Sequence, residues 1–139
     1  MFGSTGARAS DSVSVTVNAT IVGVCKFFTS SPVVNITNTG SGSNIDPSSS
    51  TDATGNAAIT YRCSNGTSPT FTVPSSATLT AGGGATLSPA ISSTNGGAGT
   101  GMGSGQEKTL TVTGTILAAN FQNAAAGAYT GTITVSVTP

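Results

Sequence analysis

The sequence predicts an all-β sandwich, and three observations predict it. Apolar and hydroxyl residues alternate with period two at both ends of the 139-residue chain, the pattern of strands with one buried and one wet face. Glycine at 19 residues, with many Ser and Thr, favours turns and strands over helices. Short apolar runs also recur between turn signals along the whole length, which is the layout of a sandwich.

Taken in order, Met1 to Ser10 reads as a polar arm. It has no apolar h-region of a signal peptide, although Ala7-Arg8-Ala9 has the small-x-small form of a cleavage site. From Asp11 the run Asp11-Ser-Val-Ser-Val-Thr-Val-Asn-Ala-Thr-Ile21 places Val13, Val15, Val17, Ala19 and Ile21 on one face. Alternation continues to Cys25, too long for one ordinary strand of about 5–6 residues, so two strands are expected, broken near Asn18–Thr20 or Gly23. Val33 to Ile36 is a short strand candidate, and Thr37 to Asn56 a polar loop with Asp46-Pro47 and Gly55 as turn signals.

Ala57 to Cys63 and Pro69 to Pro74 are expected to form a hairpin about Asn65-Gly66, because Asn-Gly supplies the positive φ of such turns. Ala77–Thr80 and Ala85–Leu87 flank three glycines, and Asn95 to Gly105 is the most flexible region by composition. Lys108 to Ile116 alternates again, with Leu110, Val112 and Ile116 inward. Leu117 to Gly127 has room for a turn of helix. Ala128 to Pro139 closes the series, with Tyr129, Ile133, Val135 and Val137 on one face.

Composition narrows the function. A chain of this length suits one domain with a single core. Charged residues make up 6%, four of each sign, against roughly 25% in ordinary soluble domains. The cations Arg8, Lys26, Arg62 and Lys108 form no basic run to neutralise phosphates, which argues against nucleic acid as a partner. Low charge also removes a barrier to association between chains. No stretch approaches the roughly 20 apolar residues of a membrane span, so direct membrane insertion is not expected. A chain that begins and ends in strand-patterned runs can offer one of them to a neighbour's sheet edge.

The sequence has no His, so the commonest general base is missing, and with it the Ser-His-Asp and Cys-His arrangements. Asp11, Asp46, Asp52 and Glu107 are scattered and read as solvated; neither a catalytic carboxylate pair nor the 6–8 oxygens of a Ca²⁺ site is indicated. No enzyme, cofactor or metal is expected. Gly101 to Thr109 ends in Lys-Thr, but Glu107 stands where a phosphate loop needs Gly, and the segment reads as a hairpin tip. Asn18-Ala-Thr20, Asn35-Ile-Thr37 and Asn65-Gly-Thr67 match the glycosylation acceptor pattern, which arises readily by chance in so Thr-rich a chain. The two cysteines, Cys25 and Cys63, cannot make a tetrahedral zinc site unaided. They read as a disulfide, with two unlinked buried thiols as the alternative; the bridge implies an oxidising compartment or the cell exterior.

The order of these features resembles a family, the chaperone–usher pilins of the archaic class, which share the spore coat protein U domain. The matching pieces are the alternating run into Cys25, Ile59-Thr-Tyr-Arg-Cys-Ser-Asn-Gly-Thr67, Leu110-Thr-Val-Thr-Gly-Thr-Ile116, and Ala126-Gly-Ala-Tyr-Thr-Gly-Thr-Ile-Thr-Val-Ser-Val137. The resemblance spans about Ser12 to Val137. It implies an incomplete immunoglobulin-like β-sandwich that is completed by a donor strand from the neighbouring subunit. Residues 1–18 would then be the N-terminal arm and donor strand, and 19–139 the pilin domain. Val13, Val15 and Val17 would be the donor residues. Ile133, Val135 and Val137 would line one wall of the acceptor groove, with Ile21 on the other, and Cys25 and Cys63 would take the place of the family disulfide. Partners would be identical subunits, with a periplasmic chaperone and an outer-membrane usher during assembly.

The expected function is therefore a structural subunit of an extracellular, cell-surface pilus reached through the periplasm, serving adhesion or biofilm formation. The alternative is a pilus-tip or secreted glycan-binding module. A glycan site is expected to show clustered aromatics, yet Trp is absent and Tyr61 and Tyr129 are the only tyrosines.

Overall fold

A computed structural model describes residues 9–139. It is all-β apart from one helical turn. The strands are β1 (Cys25–Phe27), β2 (Ala53–Cys63), β3 (Thr70–Thr72), β4 (Leu79–Ala81), β5 (Thr86–Leu87), β6 (Ala90–Thr94), β7 (Lys108–Ile116), β8 (Tyr129–Thr130) and β9 (Ser136–Thr138). The short helix α1 (Ala118–Phe121) follows β7. Three antiparallel sheets result, in the orders β1-β2-β7-β6, β3-β9 and β5-β4-β8.

The four-stranded sheet is the base of the molecule. The long strands β2 and β7 pair from Ala53 opposite Ile116 to Tyr61 opposite Lys108. Alternation in both strands then puts Ala57, Ile59, Tyr61, Leu110, Val112 and Ile116 on one buried face. Their neighbours Thr54, Asn56, Thr109, Thr111, Thr113 and Thr115 form the other face, a hydroxyl-rich surface that suits wet strands.

The two smaller sheets cover the buried face. Phe71 of β3 packs edge-on against Tyr61, with ring centroids 4.9 Å apart, and stacks on Phe27 of β1 at 6.2 Å. Leu87 of β5 and Phe121 of α1 join Ile36, Ala53 and Ile116 in a second cluster, flanked by Leu79 of β4 and Tyr129 of β8. Val34 lies against both clusters. A disulfide joins Cys25 to Cys63, cross-strand partners at the β1–β2 edge.

Several expectations change in three dimensions. The Asn65-Gly66 turn forms, with the Thr67 N–H donating to the Ser64 carbonyl at 2.9 Å. It does not make a hairpin: β2 pairs with β1 and β7, whereas β3 pairs with β9. The turn instead carries the chain from one sheet to another. Ala90 to Thr94, unassigned from sequence, is the edge strand β6. The terminal run divides into β8, which pairs with β4, and β9, which pairs with β3; residues 131–135 between them are in no strand. The strands expected within 11–24 and over 33–36 are missing, although both segments have strand periodicity. The reason is the same in each case: a strand needs a ladder partner, and none of the described residues lies beside them as one.

Candidate functional site

The site is a groove between the sheets, with a volume of about 1020 Å³. Its floor is the buried face of β2 and β7, through Ala57, Ile59, Val112 and Ile116. The segment Pro32–Ile36 contributes to its lining from the loop after β1, and Ala124–Ile133 with Val135 from the segment after α1. Leu79, Leu87, Ile91 and Phe121 are among its further apolar side chains. No Asp, Glu, Lys or Arg lines it. An open apolar groove of this size costs free energy in water, at roughly 25 cal/mol for each Å² left wet, and marks a place where something binds.

Backbone hydrogen bonding says what shape of ligand suits the groove. Among the described residues, 33–36 and 131–135 make no backbone–backbone hydrogen bond. Side-chain packing holds Val34 and Ile36, and backbone hydrogen bonds tie the chain only on either side of Val33–Ile36. The Phe28 N–H donates to Thr60 at 2.9 Å, and Thr37 exchanges two 3.0 Å bonds with Thr54. Unpaired N–H and C=O groups beside an apolar floor are half of a β-ladder.

A third unpaired stretch lies outside the groove. Residues 9–24 are in no strand, and Val13, Val15, Val17 and Ile21 are 85%, 77%, 86% and 92% exposed. Ala19 is exposed as well. Within 9–21 the hydrogen bonding is confined to a local contact, the Ser12 N–H to the Asp11 carboxylate at 2.8 Å. The segment is anchored beyond that point, where the Ser64 hydroxyl donates to the Val22 carbonyl at 3.1 Å and accepts the Val24 N–H at 2.9 Å. The first eight residues of the arm expected over 1–18 lie outside the described residues.

The structure thus distributes the residues singled out from sequence. Ile133 and Val135 line the groove and pack against the Ile59–Tyr61–Leu110–Val112 cluster. Val137 does not line it: in β9 it pairs with Phe71. Ile21, expected on the second wall, is outside the groove and in the exposed run. Val33, Val34 and Ile36 occupy the groove in its place. The reason is chain direction: the anchor at Val22–Val24 and the disulfide at Cys25 fix where the fold begins, and Ile21 precedes both. The apolar pattern Val33-Val34-Asn35-Ile36 was the available signal for that wall.

Away from the groove, Arg62 is the main electrostatic feature. Its guanidinium hydrogen-bonds Glu107, donates to the Met102 carbonyl at 3.2 Å and lies 4.3 Å from the centre of the Phe28 ring. The hydrogen bond from Arg62 holds the Glu107 carboxyl below its ordinary value. Hydrogen bonds from the Ser48 hydroxyl and N–H do the same for Asp46. Among the described residues no three His, Cys, Asp or Glu side chains gather as metal ligands, and no helix is long and apolar enough to cross a membrane.

No family model matches this chain, and neither the curated proteins nor the solved structures offer a match.

Proposed function

We propose that the protein is the structural subunit of an extracellular pilus, and that it polymerises head to tail by lending its N-terminal run to the next subunit's groove. One observation carries this reading: the subunit has an open, uncharged groove with unpaired backbone, and an exposed strand-patterned run that makes no β-ladder among the described residues. The two deficits are complementary in kind. The groove lacks a strand with apolar residues at alternate positions, and the run is such a strand.

Energetics favour the exchange. Burying Val13, Val15 and Val17 contributes about 5–9 kcal/mol at roughly 1.5–3 kcal/mol per side chain. Ladder hydrogen bonds to 33–36 and 131–135 fix the register, because a one-residue slip would turn the valines to water. Donor and acceptor are different surfaces of one subunit, so the contact is heterologous and propagates as a filament. The Cys25–Cys63 disulfide suits assembly in an oxidising compartment. As the resemblance implies, a periplasmic chaperone would cover the groove before assembly, an outer-membrane usher would catalyse the exchange, and adhesion or biofilm formation would be the use of the fibre.

The test is an SDS gel of native cell-surface material, run with and without boiling. The expected result is a ladder at multiples of the 13.4 kDa subunit that collapses on heating without reductant. A single monomer band in both lanes would sink the proposal.

A further inference from the structure

We infer that the cross-strand glycines Gly55 and Gly114 set the height of one groove wall, and so decide whether a subunit can accept a neighbour's strand; this rests on the donor-strand reading above. Gly55 of β2 and Gly114 of β7 are direct partners in the ladder. Both sit in the interiors of the two longest strands, where glycine is entropically unfavourable and usually marks the close approach of another backbone.

Here that backbone is the wall. A Cβ on Gly55 would lie 2.0 Å from the Asn35 carbonyl oxygen, 2.6 Å from its carbon and 3.1 Å from the Ile36 nitrogen. A Cβ on Gly114 would lie 3.0 Å from Ile36 Cδ1 and 3.4 Å from Val34 Cγ1. The pair therefore forms a shallow gap in the floor, and Val34–Ile36 rests in it. Between the Phe28–Thr60 and Thr37–Thr54 anchors the hydrogen bonds are confined to the Thr29 hydroxyl, which meets the Thr60 hydroxyl and N–H at 2.8 Å. Residues 33–36 make no backbone–backbone bond, so this resting contact, with the packing of Val34 and Ile36 into the core, sets the wall's level. Hydrogen-bond lengths tolerate only a few tenths of an ångström, so a raised wall presents its N–H and C=O groups out of register with an incoming strand. The atoms nearest an added Cβ at either glycine belong to Val34, Asn35 and Ile36, and the apolar face of the run over 11–21 is exposed, which leaves donation untouched.

The two functions can be separated with full-length chains. Val15→Asp yields a chain that accepts but does not donate, and Gly114→Ala one that donates but does not accept. Each alone should stay monomeric by light scattering, while an equimolar mixture should give heterodimers and nothing longer. Wild type gives ladders under the same conditions. The obstruction at 114 is the tip of one side chain, so adding Ile36→Val, which removes Cδ1, should restore long ladders to Gly114→Ala. It should not restore Gly55→Ala, where the obstacle is backbone.

Ladders from Gly114→Ala alone, within twofold of wild-type length, would overturn the inference and leave the proposed function standing. So would a mixture without heterodimers, since the damage would then not be confined to the acceptor side. Loss of the fold in Gly114→Ala that Ile36→Val fails to repair would overturn it too, assigning the glycine to the core. Monomers from wild type would overturn the donor-strand reading itself, and this inference with it.

Discussion

The hydroxyl of Tyr61 donates a 2.7 Å hydrogen bond to the carbonyl of Gly97. The same oxygen accepts the Gly96 N–H at 3.0 Å, so one buried phenol ties the glycine-rich segment before β7 to the middle of the base sheet. Burial pushes the Tyr61 phenol above its ordinary value, and the Gly96 N–H partly opposes this. The phenol is a neutral donor at any physiological pH. Tyr61→Phe keeps the ring between Phe71 and the core and removes only these bonds. Urea unfolding should show a loss of about 1–2 kcal/mol at an unchanged m-value.

Val15→Asp should leave the monomer as stable as wild type, because the side chain is 77% exposed and exposed substitutions cost within about 0.5 kcal/mol. Assembly should be lost, because a carboxylate in an uncharged apolar groove has no partner. Thermal unfolding and light scattering on the same sample check both halves. Ladders of wild-type length would remove Val15 from the donor face.

Replacing Cys25 and Cys63 together with alanine should lower unfolding stability by about 4 kcal/mol in the loop-entropy account for this loop length. The bridge ties the short strand β1 to β2 immediately before the loop that supplies the groove wall. Denaturant titration of the oxidised protein against the double variant measures the difference.

Acid should destabilise the subunit in a defined window. Glu107 and Asp46 both have folded-state values held below their ordinary 4.5 and 3.8. A depressed carboxyl contributes stability above its unfolded value, and that contribution disappears as pH falls through its folded value. Stability should therefore be level above about pH 5 and decline below it. Glu107→Gln should flatten this decline without abolishing it, since Asp46 remains. A series of chemical unfolding midpoints from pH 3 to 7 tests the slope, and an unchanged slope in the variant would show that Arg62 does not stabilise the ionised form.

Phe71→Ala should cost about 2–3 kcal/mol, below the range for a fully buried Phe because the ring is partly exposed. Its ring meets both Phe27 and Tyr61 and is the main apolar link from β3 to the base sheet. Thermal melting of the variant checks it.

Local pattern determined much of this protein. Alternation alone marks Leu110, Val112 and Ile116 as inward, and they are buried. Within the strand-like run expected over Ala57 to Cys63, Ile59, Tyr61 and Cys63 are buried, and the sparse charge leaves a surface dominated by Thr and Ser. What periodicity cannot carry is partnership, because a period of two says which face a side chain takes and nothing about which strand lies alongside. Tertiary structure alone separated Ser64–Thr67 from a hairpin, divided 128–139 between two sheets, and moved Ile21 out of the groove in favour of Val33, Val34 and Ile36. It also gave Gly55 and Gly114 their meaning: Gly55 reads in sequence as a turn signal in a polar loop and lies instead in β2, and only the chain passing over the pair shows the Asn35 backbone against Gly55 and the Ile36 side chain against Gly114. The run over 11–21 alternates as a strand does and forms none, because a β-ladder needs two members and none of the described residues lies alongside it as the second.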